Sequence, residues 1–155
     1  SEYKTHITTV EIENGITRIG SRAFYDCPKL KTIVIGDDII TIGEMAFALC
    51  TSVDYLTVSN NVENIEENAF ALCINLENVI LGDSVAIIGE AAFYGCKKLS
   101  NIKIPLSITT ISKDAFKDCT GLSNVDYSGS KEQWDAINIT NENNGNDHLN
   151  NAYNN

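Results

Sequence analysis

The chain has 155 residues, 43% of them hydrophobic, with a formal net charge of −10 and a pI near 4.5. One domain of this size buries on the order of 70% of the surface that its unfolded form exposes. So acidic a surface repels nucleic-acid backbones and anionic membranes, which argues against both as partners. No apolar run reaches the roughly 18 residues that cross a bilayer, so no stretch of this chain is expected to insert into one.

The start, Ser1-Glu2-Tyr3-Lys4, is not that of a signal peptide. Ile7, Val10 and Ile12 match Leu30, Ile33 and Ile35, which lie 23 residues further on. The chain therefore opens within a repeat, and further sequence is expected before it. Five copies of one phrase follow at that same spacing of 23 residues: Ala23-Phe24-Tyr25-Asp26-Cys27, Ala46-Phe47-Ala48-Leu49-Cys50, Ala69-Phe70-Ala71-Leu72-Cys73, Ala92-Phe93-Tyr94-Gly95-Cys96 and Ala115-Phe116-Lys117-Asp118-Cys119. Every phenylalanine and every cysteine of the protein falls on this period. Apolar columns keep step with it, among them Ile16-Ile39-Val62-Val85-Ile108 and Ile19-Ile42-Ile65-Ile88-Ile111. A fixed period of this length means a solenoid, each unit burying its apolar face on its neighbours.

Within a unit, Leu30-x-x-Ile33-x-Ile35 alternates with a period of two in β-branched residues and predicts a short strand. Stacked copies make a parallel sheet. Gly36-Asp37-Asp38 is turn chemistry, after which Ile39 and Ile42 carry an extended segment back across the core. Ile42, Ala46 and Cys50 recur every four residues, which predicts a short helical turn with Phe47 filling the space between rungs.

Beyond Tyr127 the columns decay, and Trp134 falls on the Ile111 column. Ser130-Lys131-Glu132-Gln133 has the form of a capping box, so a short helix is expected from Ser130, carrying Trp134 and Ile137 inward to plug the last rung. Residues 138–155 are Asn-rich and expected to be largely loose, with Leu149 as anchor. The domain plan is a solenoid over 1–127 and a C-terminal cap and tail over 128–155. Asn138-Ile139-Thr140 matches a glycosylation sequon.

The unit Ile-x-x-Ile-Gly-x-x-Ala-Phe-x-x-Cys-x-x-Leu-x-x-Ile-x-Ile, over about residues 7–127, resembles the BspA-type leucine-rich repeat. Glu66 and Ser112 depart from it at the glycine of Gly20, Gly43 and Gly89, and Pro105 replaces Gly36 or Gly82. The resemblance implies an α/β solenoid, a leucine-rich-repeat right-handed superhelix with a parallel sheet on one face and short helical turns on the other. It also implies a cell-surface or secreted protein of a bacterium, or less often of a protist, that adheres to host proteins, matrix or other cells.

Residue chemistry gives no sign of catalysis. The five cysteines cannot pair fully and lack zinc-ligand spacing, so they read as a buried thiol ladder. His6 and His148 lie at opposite ends without a nucleophile, and Asp37, Asp38 and Asp83 form no calcium loop. Neither a cofactor nor a metal is expected. What remains is the outward side of the strands, the concave sheet face, where Val34, Tyr55, Thr57 and Ile80 form a mildly apolar and aromatic patch beside Asn78, Asn101 and Lys103. That set is the candidate ligand-binding site, for a protein or glycan taken up by a monomer. Strand propensity alone also accounts for Val, Ile, Thr and Tyr there, and Asn78, Asn101 and Asn124 can hydrogen-bond to one another along the stack. The competing function is a rigid spacer with no ligand of its own.

Overall fold

The computed structural model describes residues 2–153. Each repeat makes one coil with three sides. The first side is the Leu-x-x-Ile-x-Ile strand, at Thr9–Ile12 (β1), Thr32–Ile35 (β3), Tyr55–Thr57 (β5), Asn78–Ile80 (β7), Asn101–Ile104 (β9) and Asn124–Tyr127 (β11). A two-residue strand makes the second side, at Arg18–Ile19 (β2), Thr41–Ile42 (β4), Asn64–Ile65 (β6), Ile87–Ile88 (β8) and Thr110–Ile111 (β10). Where these strands pair they do so in parallel and in step with the repeat, with Val79 opposite Ile102 and Ile42 opposite Ile65. The parallel solenoid expected from the sequence forms. The segment through Ile39 and Ile42, expected only to run extended, adds a second sheet.

The third side differs from expectation, because the short helical turns are successive β-turns. In one coil the Ala46 amide donates to Gly43 O at 3.1 Å, Ala48 to Met45 O at 3.2 Å and Cys50 to Phe47 O at 3.3 Å. The amides between them, of Met45, Phe47 and Leu49, donate to Glu67, Ala69 and Ala71 of the next coil at 2.8–2.9 Å. Alternate amides thus bond within a coil and between coils, whereas an α-helix spends every amide on its own carbonyl four residues back. Met45 and Leu49 accordingly take φ values of +53° and +63°, and the same two columns are left-handed in the other coils. A residue with a Cβ pays about 1–2 kcal/mol of local strain there, which Gly95 in the Leu49 column escapes. The spacing of four put Ala46 and Cys50 on one face correctly, but it could not separate a helix from stacked turns of the same reach. At Glu66 and Ser112 the turn persists, with the amides of Ala69 and Ala115 donating to them at 3.2 and 3.3 Å.

Inside, Phe47, Phe70, Phe93 and Phe116 are at most 1% exposed and stack with Phe24 at centroid spacings of 5.2–5.4 Å, with planes within 13° of parallel. Each cysteine from Cys50 onward donates its thiol to the carbonyl of the phenylalanine in the preceding coil, Cys73 to Phe47 O at 3.3 Å and Cys119 to Phe93 O at 3.1 Å. The thiol is small enough for the core and is a second donor to a carbonyl that already accepts from the cysteine amide of its own turn, as Phe47 O does from Cys50.

At the C-terminal end, helix Lys131–Asp135 (α1) starts on the expected capping box. Ser130 Oγ accepts from the Gln133 amide at 3.2 Å, and Gln133 Oε1 accepts from the Ser130 amide at 2.8 Å. Trp134 and Ile137 are buried. Trp134 does not continue the Ile111 column, because strand Asn138–Ile139 (β12) pairs with β10 and sets Ile139, 28 residues on, opposite Ile111. Nor is the Asn-rich segment loose up to Tyr153: β12, a 3₁₀ turn at Glu142–Asn144 and helix Asp147–Tyr153 (α2) build it into the fold. Asn146, fully buried, is the reason. Its Oδ1 accepts from the Phe116 amide at 3.0 Å, where the next coil's alanine carbonyl would stand, and its Nδ2 donates to Ser112 O and Thr140 O at 2.9 and 2.7 Å.

The N-terminal end is less covered. Ile16 is 48% exposed although Ile39, Val62 and Val85 in its column are 0% exposed, Ala23 is exposed, and Phe24 is half-buried. Lys4 Nζ donates to Tyr25 O at 2.8 Å, the place that the Asp26 amide takes on Ala48 O one coil later.

Candidate binding face

The first-sheet strands bury alternate residues, Leu56, Val79 and Ile102 each at 1% exposure, so the residues between them must face outward. Tyr55, Thr57, Ile80, Asn101 and Lys103 are exposed and Asn78 is partly buried. Register sets Tyr55 beside Asn78, Asn78 beside Asn101, and Ile80 beside Lys103. Five of the candidate residues, Tyr55, Asn78, Ile80, Asn101 and Lys103, line one open groove of about 210 Å³ together with Asn124 and Asp126. That volume falls below the roughly 300–1,000 Å³ of pockets that enclose a small molecule.

Val34 and Thr57 fall elsewhere. The hydrogen-bonded ladder is interrupted between β3 and β5, leaving a two-stranded and a four-stranded piece. Val34 and Thr57 line the groove along that interruption with Ile33, Ile35, Val58 and Asn60. Ile33 is accordingly only partly buried, while the other residues of its column in β1, β5, β7 and β9 are buried. The four-residue patch read from the sequence is thus divided over two depressions.

Polar geometry on the main groove is specific. Asn101 Nδ2 donates to Asn78 Oδ1 at 3.1 Å and to Ser100 Oγ at 2.8 Å. These bonds orient both amides and leave the Asn78 amide group and the Asn101 carbonyl unspent among the described contacts. Asn124 lies next in register but makes no such bond. Lys103 and Asp126 stand opposite each other in register and form no ion pair among the described residues.

On the second sheet the repeat's periodicity hid one contact. Arg18 reaches past a whole coil to Glu66, donating twice, at 2.8 and 2.6 Å, and Glu66 Oε2 also accepts from the Glu44 amide at 3.1 Å. The hydrogen bond from Arg18 holds the Glu66 carboxyl below the usual carboxylate range. In the sequence Glu66 stands out only as a break in a glycine column.

The thiols are buried and unpaired, and burial pushes Cys50 and Cys119 up to about 12. Among the described residues no group of three or more His, Cys, Asp and Glu is placed to hold a metal ion, and no helix is long and apolar enough to cross a membrane.

Comparison with known proteins agrees with this geometry. Residues 2–123 match the BspA type leucine rich repeat region in six copies. A leucine rich cell surface protein from Faecalibacterium prausnitzii shares 34% identity over 84% of this chain and 35% of its own, with a TM-score of 0.69. The leucine rich repeat protein of T. pallidum shares 27% over 77% and 58%, at 0.74, and one from Bacteroides ovatus shares 30% over 77% and 37%, at 0.58. The chain therefore spans between about a third and three fifths of these relatives' lengths. No curated protein matches it. With its coils, columns and turns in the register of that repeat over most of its length, the chain belongs to the BspA-type leucine-rich repeat family.

Proposed function

We propose that the chain is a non-catalytic binding module of a bacterial cell-surface or secreted protein, engaging an extended protein or glycan partner as a monomer through its first-sheet face. The observation that carries this reading is Tyr55, 50% exposed, and Ile80, 36% exposed, on neighbouring strands beside amides fixed by hydrogen bonds, on a scaffold whose core holds every strand in register. An exposed aromatic next to convergent polar groups on a rigid sheet is where binding energy concentrates. The cell-surface description of the Faecalibacterium relative supports the location.

A second reading, a spacer without a ligand, is favoured by the unbroken five-ring stack, which makes a stiff rod whatever its faces carry. Binding to immobilised matrix proteins and glycans separates the two. Wild type should be captured by at least one of them, and Tyr55→Ala and Ile80→Lys should abolish capture while leaving circular dichroism unchanged. A wild type that binds nothing supports the spacer.

A further inference from the structure

Resting on the first-sheet reading above, we infer that the Tyr55-Asn78-Asn101-Asn124 row takes an uncharged polysaccharide, its chain lying along the solenoid with successive sugar units on successive coils. Charge is the first reason. The whole column Thr9-Thr32-Tyr55-Asn78-Asn101-Asn124 carries none, in a protein with 32 charged side chains and a net charge of −10. Beside the row the groove holds one charge of each sign, Lys103 and Asp126, so neither an anionic nor a cationic chain finds a matching run of charge. Spacing is the second. Paired strands lie roughly 4.8 Å apart, close to the length of one pyranose unit, so one polymer can meet each coil in the same way.

Hydrogen bonding is the third reason. Neutral amides bond sugar hydroxyls as donor and acceptor together. Here the Asn101–Asn78 bond at 3.1 Å and the Asn101–Ser100 bond at 2.8 Å fix the orientation of the pair and leave a donor on Asn78 and an acceptor on Asn101. Tyr55, 50% exposed at the end of that row, offers a ring face to the apolar face of a sugar. A protein partner fits less well. Standard protein interfaces bury about 800 Å² per partner around an apolar centre, and here Val34 and Ile80 are split between two grooves.

Calorimetric titration of the full chain with cello-, chito- and xylo-oligosaccharides, from disaccharide to hexasaccharide, tests this. Affinity for one series should climb with length to the tetrasaccharide, one unit per coil of the row, and then level. It should not change with ionic strength, since no charge is paired. Tyr55→Ala should weaken binding about tenfold and Asn101→Ala roughly three- to tenfold, with Thr41→Ala on the other sheet unchanged. Three results would overturn the assignment: no heat with any series while the same face captures a protein, which leaves the binding-face reading standing; binding untouched by Tyr55→Ala and Asn101→Ala; or binding only to sulfated oligosaccharides that collapses in salt. If neither sugar nor protein binds, both readings fail together.

Discussion

Replacing Phe70 with alanine tests the central feature of the fold. Phe70 is 1% exposed and stacks on Phe47 and Phe93, each at 5.4 Å. Truncating a buried phenylalanine costs about 3–5 kcal/mol, and the loss of two ring pairs places this site at the upper end of that range. Phe24 offers an internal control, because it is half-buried and stacks on one ring only, at 5.2 Å. Phe24→Ala should cost about half as much, on the order of 2 kcal/mol. Urea denaturation followed both by circular dichroism and by fluorescence of Trp134, the only tryptophan, measures both. Since Trp134 lies in the cap, coincident curves show that the coils unfold as one unit. The stability of a domain is about 5–15 kcal/mol, so Phe70→Leu should accompany the alanine variant in case the latter is largely unfolded. A loss below about 1 kcal/mol for Phe70→Ala, or one no greater than for Phe24→Ala, refutes the stacked-ring account.

Asn146→Ala should cost about 2–4 kcal/mol, since it strands the Phe116 amide and the Thr140 carbonyl at the cap and leaves the Ser112 carbonyl only the Ala115 amide, and the loss should appear in the Trp134 transition. The neighbours Ala91 and Ala92 should respond with opposite sign to glycine. Ala91 has a φ of +53°, so relief of its strain should outweigh the added chain entropy by up to about 1 kcal/mol, while Ala92, 0% exposed, should lose about 1 kcal/mol. Thermal melts of the two variants decide this. For the thiols, a folded-state pKa raised to about 12 at Cys50 and Cys119 means that the unfolded state gives up protons first as pH rises. Their contribution is fully present below the unfolded pKa near 8.5 and is lost above it, by about 1.4 kcal/mol per thiol per pH unit until the folded pKa is reached. Denaturation between neutral pH and pH 10 should show that fall, and native alkylation by iodoacetamide should stay slow throughout; rapid modification of native protein at more than one thiol would contradict it.

What the sequence made legible is what repeats. A column of identical side chains reports on its environment five times over, so the strands, the buried Phe and Cys positions and the stacking period could all be read before any coordinate. The conformation of the third side could not, because Ala46 and Cys50 share a face in a helix and in successive β-turns alike; only the destinations of the amides, alternating between Gly43 and Ala69, distinguish them. Contacts made once are invisible to a periodic reading. Arg18–Glu66 spans two coils, Asn146 serves one end, and the interruption between β3 and β5 separates Val34 from Ile80 without any change in the pattern of residues. The same logic bears on function. Side chains that repeat are committed to holding the coils together, so the proposed recognition falls to columns where the residue changes from coil to coil. The Tyr55 column is such a case: threonine at β1 and β3 gives way to tyrosine and then to three asparagines, on strands whose inward column Val10-Ile33-Leu56-Val79-Ile102-Val125 stays aliphatic. The core fixes the spacing of that row and leaves its chemistry free to vary, which is the physical basis for the site proposed there.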